Sequence, residues 1–344
     1  MLVLGISIVL FFVLTLVIGK ALSTKPYKGP RTSHFNGKRF KNPSRRSAKG
    51  FKDVFKYIVK GEKDRWSKID NPFVRDTQVE DANSDEIKVH FVNHSTFLIQ
   101  IGEVNILTDP IWSDYCSPLP LPMLKRKRPP GISFDKLPRI DLVLISHNHY
   151  DHLDKKSIHR ISKNHKAQAV TCLGNSPAIR AMGIEQTMEL DWWQKIKIGE
   201  VEIEAVPANH FSSRGTFDRN TSLWCGFILR AKGKQLYFIG DTGYGNIFKE
   251  IGQKYGAIDL ALIPIGAFKP RWFMGPIHIS PEEAVAVHQD IKSKKSIAMH
   301  YGTFALADDS PQRAIKEFEE AKKLNGISDE EFFLLEEGRC YDLS

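Results

Sequence analysis

The sequence DLVLISHNHYDH, residues 141–152, joins an apolar run to a cluster of side chains that commonly bind metal ions. Residues 141–146 have the length and composition of a buried strand. Three imidazoles and one carboxylate follow within six residues, namely His147, His149, Asp151 and His152. A spacing of two places the first two histidines on one side of an extended segment, where they can share an ion. Because imidazole nitrogen and carboxylate oxygen suit zinc and related divalent ions, the stretch predicts a metal site at a strand end.

Three later segments have the same design, in which an apolar strand ends in a ligand-type residue. The strands are predicted near 201–207, 236–240 and 296–299, and the residues that follow them are His210, Asp241 and His300. Taken alone, either histidine would be an ordinary surface residue and the aspartate a turn former before a glycine. Loops at one edge of a sheet are where functional sites gather, so the three residues together extend the predicted metal site.

Short apolar runs separated by Gly, Pro, Asn and Asp predict a body built of many strands with interspersed helices. Strands are predicted at 88–92, 96–101, 104–108, 141–146, 168–173, 201–206, 224–231, 235–239, 259–264 and 296–299. Helices are predicted at 155–164, 175–182, 245–254, 281–291 and 311–323. Hairpins come first and strand–helix pairs later, which favours a layered α/β body over a βαβ repeat.

The ligand pattern resembles the metallo-β-lactamase superfamily, whose HxHxDH signature stands at residues 147–152. The resemblance implies an αββα sandwich over about residues 85–340, with the site at one edge of its two sheets. Carried over position by position, it implies that His147, His149 and His210 hold a first metal ion, that Asp151, His152 and His300 hold a second, and that Asp241 bridges the two. The implied cofactors are two divalent ions, zinc first, with manganese or iron as alternatives.

Motifs outside this ligand set resemble one branch of the superfamily, which contains N-acyl-phosphatidylethanolamine-hydrolysing phospholipase D and its bacterial relatives. They are FVNHST (91–96), TDPI (108–111), PEEA (281–284) after His278, HYGTF (300–304) and HFNG (34–37). The resemblance implies a phosphodiesterase that releases N-acylethanolamine and phosphatidic acid through a hydroxide shared by the two ions. His94 and Asp109, in the first two motifs, are expected to brace the site from behind.

Two residues are expected to take part in proton transfer. Asp151 would orient the attacking hydroxide or accept its proton, and His278 would donate a proton to the leaving oxygen. The alternative for His278 is a histidine at the start of a helix that bonds to backbone.

Residues 2–19 form an uninterrupted apolar stretch of eighteen residues and predict a membrane-anchor helix. Ala21-Leu22-Ser23 resembles a small-x-small cleavage site, so a cleaved signal peptide is the alternative, although such peptides begin with a basic region that is absent here. Basic residues lie only on the C-terminal side of the span, which places the body on the cytoplasmic face. The predicted organisation is an anchor at 1–19, a basic juxtamembrane arm at 20–72 and a hydrolase domain at 73–344.

Charge is concentrated in the arm. Residues 20–68 contain sixteen Lys and Arg against three acidic residues, whereas residues 69–344 have a net charge of −4. The arm therefore either contacts anionic headgroups or is a solvated linker. An acidic body gives no broad basic channel for a nucleic acid, so the expected partners are a phospholipid substrate and an anionic membrane surface.

Two further segments, 119–128 and 269–274, place apolar residues beside cations and are expected to touch a lipid surface. The alternative is that Trp272 and Phe273 pack on the protein's own core while the basic run 125–128 is solvated. The four cysteines are far apart without a CxxC pair, so they are expected to be buried thiols. A nuclease, a lactonase or another carbon-ester hydrolase, and a non-catalytic membrane-tethered binding protein remain as alternative functions.

Overall fold

Two seven-stranded sheets lie face to face in the computed structural model, which describes residues 15–44, 49–66, 78–80, 82–83 and 85–343. The strands of the first sheet are β1 (Ile87–Asn93), β2 (Thr96–Ile101), β3 (Val104–Thr108), β4 (Leu142–Ile145), β5 (Gln168–Cys172), β6 (Thr187–Leu190) and β14 (Cys340–Asp342). Those of the second sheet are β7 (Lys195–Ile198), β8 (Val201–Val206), β9 (Gly226–Ala231), β10 (Lys234–Phe238), β11 (Ile258–Pro264), β12 (Ser293–Met299) and β13 (Phe332–Phe333).

The two sheets have matching topologies. Their spatial orders are β14-β1-β2-β3-β4-β5-β6 and β13-β12-β11-β10-β9-β8-β7. In each sheet one half pairs antiparallel, with some pairs joined by short hairpins, and the other half pairs parallel. Parallel neighbours within a sheet end at the same edge of that sheet. The residues after β4 therefore lie at such an edge of the first sheet, and those after β11 and β12 lie at such an edge of the second.

Seven α-helices occur in the described residues after position 50. They are α1 (Phe51–Lys60), α2 (Lys155–Asn164), α3 (Ser176–Ala181), α4 (Ile247–Tyr255), α5 (Arg271–Met274), α6 (Pro281–Asp290) and α7 (Pro311–Asn325). The sequence marks several of their starts: Ser280 accepts a hydrogen bond from the Glu283 N–H, with proline at the first helical position of α6. Two short 3₁₀ turns, Pro122–Leu124 and Phe134–Lys136, lie in the loops of the first sheet.

The period-two pattern of the strands builds the layers. In β4, Leu142 and Leu144 lie in the core between the sheets, whereas Val143 and Ile145 belong to a second core under α2 and α3. Helices α4, α6 and α7 contribute buried residues on the side of the second sheet. The αββα sandwich predicted from the sequence is confirmed.

Four strands and two helices were not predicted, namely β6, β7, β13, β14, α1 and α5. These elements are short or poorly buried: β7 alternates between exposed and half-buried residues, and β13 has two residues. Such edge elements are stabilised by pairing with a neighbour more than by their own apolar pattern.

Most of the predicted anchor, residues 1–14, lies outside the described residues, and residues 15–22 are helical. In the described part of the chain, no helix is both long and apolar enough to cross a membrane.

Part of the basic arm packs on the domain. Phe35 and Phe40 are each 1% exposed and join the core between the sheets, with their ring centroids 4.5 Å apart. The backbone of Tyr27 and that of Phe40 donate hydrogen bonds to the 220–221 carbonyls. Two buried aromatic rings therefore hold the strap, residues 24–44, against the domain despite its charge. The predicted boundary at residue 72 stays a prediction, because residues 67–77 lie outside the described ranges.

The expectation of four buried thiols is wrong for three cysteines. Cys172, at the end of β5, and Cys225, just before β9, form a disulfide that links the two sheets, and Cys340 is exposed. Cys116 is a buried free thiol as expected. The pair is separated by 53 residues and meets only because the sheets stack, which the spacing of cysteines does not indicate.

Candidate metal centre

The seven predicted ligand residues come together at one edge of the sandwich. They follow the ends of four strands: His147, His149, Asp151 and His152 after β4, His210 after β8, Asp241 after β10 and His300 after β12. All are buried except His149, which is half-buried. Strand ends from both sheets thus place these side chains in one small volume, as expected from the sequence.

Three imidazoles form a first cluster. His147 Nε2 lies 2.8 Å from His149 Nδ1, and His210 Nε2 lies 3.2 Å from the same nitrogen. The three nitrogens converge within 4.8 Å of one another, which is compact enough to surround a single ion. Three imidazoles are a frequent donor set for zinc.

A second cluster forms around Asp151. Its Oδ2 lies 3.0 Å from His94 Nε2, 3.1 Å from His152 Nε2 and 3.5 Å from His300 Nε2. His94 was expected to brace the site from behind, whereas its imidazole lies among the candidate ligands. One sequence feature could have indicated this position: His94 directly follows the buried strand β1, in the turn that leads to β2.

Asp241 lies between the two clusters. Its Oδ2 is 3.2 Å from His152 Nε2 and 3.1 Å from His300 Nε2, and 3.8 Å from His210 Nε2 in the first cluster. Its Oδ1 is buried and has no hydrogen-bond partner among the described residues. This is the position that the bridging role, implied by the family resemblance, requires.

Asp109 supports both clusters from behind. Its carboxylate accepts hydrogen bonds from His152 Nδ1 over 2.7 Å, from Ser146 N over 2.7 Å and from Ser146 Oγ over 2.5 Å. Ser146 Oγ also lies 2.9 Å from His147 Nδ1. One fully buried carboxylate therefore orients His152 directly and His147 through a serine. The bracing role of Asp109 was expected, but the serine relay was not.

Three of the eight described non-glycine residues with positive φ lie at the same edge. His94, Asp109 and His300 have φ values of 51°, 34° and 60°, a region that non-glycine residues rarely adopt. The His300 N–H donates to the His94 carbonyl over 2.8 Å, which ties the two turns together. Strain of this kind persists where the surrounding structure holds a functional geometry.

Electrostatics distinguish the two clusters. Burial and the neighbouring histidines hold the pKa of His147 and His149 well below the usual value, and burial lowers the pKa of His210 to about 4. Their nitrogen lone pairs are therefore free at neutral pH. Burial opposes the charge of Asp241, but His152 and His300 outweigh it and hold the pKa of this carboxyl well below its usual range.

These features fit two divalent cations. The first cluster offers three neutral nitrogens, and the second combines imidazoles with a buried carboxylate that stays ionised and needs positive charge nearby. The unpaired Asp241 Oδ1 leaves a coordination position at the junction. The donor set is compatible with zinc, manganese or iron.

His278 also points into the centre. Its Nδ1 lies 3.8 Å from Asp241 Oδ2 and has no hydrogen-bond partner among the described residues. The alternative in which this side chain bonds to backbone is not what the structure shows. Burial, together with His210 and His300, holds the pKa of His278 well below its usual value, so its imidazole is neutral in the metal-free protein.

A groove of about 860 Å³ adjoins the first cluster at His210. One of its walls comes from the strap and α1, including Lys41 and Val54, and Phe273 lies on another part of the lining. The strap thus completes a binding groove beside the centre: Asn42 Oδ1 accepts a hydrogen bond from the backbone N–H of His210.

The basic run 125–128 is not simply solvated, contrary to one of the two expectations for it. Arg126 donates to the carbonyls of Ser113 and Ile111 and to Asn93 Oδ1, and Arg128 pairs with buried Glu337 over 2.8 Å. Two of its four cations therefore hold loops behind the metal centre and are not available to a lipid surface.

Comparisons with known proteins agree with this geometry. The Beta-lactamase superfamily domain matches residues 104–301. The chain is 32% identical over 335 residues to N-acyl-phosphatidylethanolamine-hydrolyzing phospholipase D 1 of Caenorhabditis elegans, covering 90% of this chain and 94% of that protein. It is 32% identical over 242 residues to a metal-dependent hydrolase of Pyrococcus furiosus, covering 70% of this chain and 92% of that one.

Among solved structures, the fold matches a possible metal-dependent hydrolase from Veillonella parvula with a TM-score of 0.61, 17% identity and coverage of 74% of this chain and 99% of that one. Fold, ligand geometry and sequence similarity thus lead to one assignment. The chain is a metal-dependent hydrolase that belongs to the metallo-β-lactamase superfamily and resembles its N-acyl-phosphatidylethanolamine-hydrolysing branch.

Proposed function

We propose that this protein is a phosphodiesterase of the phospholipase D type that cleaves N-acyl-phosphatidylethanolamine-like lipids into N-acylethanolamine and phosphatidic acid. The observation that carries the proposal is the double cluster joined by Asp241, within a chain whose similarity to the worm phospholipase extends over 90% of its length. Two divalent ions bound there supply Lewis acidity and a water of lowered pKa.

The chain's own residues prepare the site for such a substrate. Asp241 would bridge the two clusters, because its Oδ2 faces imidazoles of both. Asp151 carries a buried negative charge beside three imidazoles and can accept a proton or hydrogen bond from the nucleophile. His278 is 8% exposed, its Nδ1 has no hydrogen-bond partner among the described residues, and in this proposal it hydrogen-bonds the leaving oxygen.

The chemistry is tested by mass spectrometry of the products. Purified protein loaded with zinc, manganese or iron and given N-acyl-phosphatidylethanolamine in mixed micelles should release N-acylethanolamine and phosphatidate. Release of free fatty acid instead would indicate a carbon-ester hydrolase. Absence of any product with all three metals, while a lactone is opened, would overturn the proposal.

We further propose that α1 places the enzyme on the membrane surface. Phe55 and Val59 are each 63% exposed on a helix that also contains three lysines, a composition typical of interfacial helices. On the helix side that meets the domain, the ring of Tyr57 stacks on Phe273 with centroids 4.7 Å apart. Trp272 is 38% exposed, and Lys56 Nζ lies 4.6 Å from the centroid of its ring. In this proposal Phe273 anchors α1, and α1 carries the lipid-facing side chains.

A matched pair of variants tests this surface. Replacing Phe55 and Val59 with serine should weaken binding to anionic phospholipid vesicles about tenfold or more, because burial of a large apolar side chain contributes about 1.5–3 kcal/mol. Leu324→Ser is the control, since Leu324 is 87% exposed on α7. Equal vesicle binding by wild type and the α1 double variant would overturn the proposed surface. The predicted anchor at 1–19 and a body on the cytoplasmic face remain part of the proposal.

A further inference from the structure

Arg219 lines the groove beside the candidate metal centre. The central carbon of its guanidinium is 4.3 Å from the ring centroid of Phe211. That ring is 4.3 Å from the ring of His149 and 5.0 Å from the ring of His210, both in the first cluster. A single aromatic side chain therefore separates this cation from two candidate ligands.

Apart from the ring of Phe211, Arg219 has no side-chain partner among the described residues. Its side chain makes no hydrogen bond or ion pair with any residue that the structure describes, whereas Arg214, five positions earlier in the same loop, donates 2.8 Å bonds to the carbonyls of Asn148 and Leu153. Burial lowers the pKa of Arg219, and the charge of Arg39 lowers it further. A half-buried guanidinium that forms no ion pair with any described residue is unfavourable unless a ligand supplies the negative charge.

The charge of the groove points to the same kind of ligand. Among the described residues, three cations line it, namely Lys41, Lys49 and Arg219, against one carboxylate, Glu250. The strap contributes Lys41, so the groove is basic although residues 69–344 have a net charge of −4. An anion entering the groove therefore gains from both the wall and Arg219.

We infer that Arg219 binds the phosphate group of the substrate and selects phosphodiesters over neutral esters and lactones. The inference rests on the proposed function, because it assigns the anion to the substrate of that same site. The planar guanidinium fork matches two phosphate oxygens at once, while stacking on Phe211 holds the fork in place. A lactone or a neutral ester has no negative charge, so it cannot form an ion pair with this guanidinium.

The test measures binding of dimethyl phosphate to the zinc-loaded protein by isothermal titration calorimetry. Arg219→Gln should weaken binding about 10- to 100-fold, as expected when a charged hydrogen-bonding partner is removed. Arg219→Lys keeps the positive charge but lacks the guanidinium fork, so its affinity for dimethyl phosphate should lie between those of wild type and Arg219→Gln. The control is Arg139→Gln, which removes one positive charge from a side chain that is 71% exposed and paired with Asp141.

The outcomes separate this inference from the proposed function. All variants are first matched to wild type in circular dichroism and zinc content, and Arg219→Lys serves in place of a glutamine variant that does not fold. If dimethyl phosphate binds wild type and Arg219→Gln equally, or binds wild type not at all, the inference is overturned. If Arg219→Gln weakens binding but wild type cleaves no N-acyl-phosphatidylethanolamine, the anion site stands and the proposed function fails.

Discussion

Asp109→Asn gives a sharp test of how the metal centre is built. The carboxylate is fully buried and accepts three hydrogen bonds, two from Ser146 and one from His152 Nδ1. An asparagine has one acceptor oxygen, so its amide N–H₂ must face at least one of these donors. If it faces His152, the imidazole must move its proton to Nε2, the nitrogen that points at Asp151 and Asp241.

The expected consequence is a selective loss at the second cluster. Removal of a residue that orients a metal-binding histidine commonly lowers metal affinity about 10- to 100-fold, or about 1.4–2.7 kcal/mol. The lost charged hydrogen bond should also reduce the free energy of unfolding by about 1.5–3 kcal/mol. The first cluster should be affected less, because Asp109 reaches it only through Ser146 and His147.

The assay combines elemental analysis with competition against a chromophoric chelator. Wild type should bind two zinc ions per chain, and the Asp109→Asn protein should keep one of them with nearly unchanged affinity. Asp259→Asn is the matched control, because this carboxylate, 9% exposed, bonds to the Gln235 N–H and to Lys294, both away from the centre. Two ions bound with wild-type affinities in Asp109→Asn would refute the orienting role.

Three other changes have defined outcomes. Asp241→Asn should lower both zinc content and turnover of the lipid substrate more than His278→Ala does, because Asp241 faces both clusters; equal small losses would contradict these roles. Burial raises the pKa of Glu337 to about 7 from 4.5, so its stability contribution, present below pH 4.5, is lost as pH rises through about 7. In urea titrations the free energy of unfolding of wild type should therefore fall by about 3 kcal/mol more than that of Glu337→Gln between pH 4.5 and pH 8. Parallel dependence of the two free energies on pH would contradict this. Replacing Cys172 and Cys225 with alanine opens a 53-residue loop and should lower the free energy of unfolding of the oxidised protein by about 4 kcal/mol on the loop-entropy estimate; wild-type urea stability in this variant would argue against the bond.

The sequence by itself indicated the candidate metal-binding residues and the layered fold. Residues 147–152 place four ligand-type side chains within six positions, and apolar runs before His210, Asp241 and His300 mark three more strand ends. These signals are local: alternation along a strand and a polar residue after its last apolar position need no knowledge of the neighbours. For the same reason the main strands and the capped helix α6 were predictable near their observed bounds.

Only the tertiary structure decided which distant residues support that set. His94 reaches Asp151 across 57 positions, and Cys172 meets Cys225 across 53. The basic strap turned out to be held by Phe35 and Phe40 in the core between the sheets. Such contacts depend on how the two sheets stack. The residues next to a side chain in the sequence do not specify which distant surface it will contact.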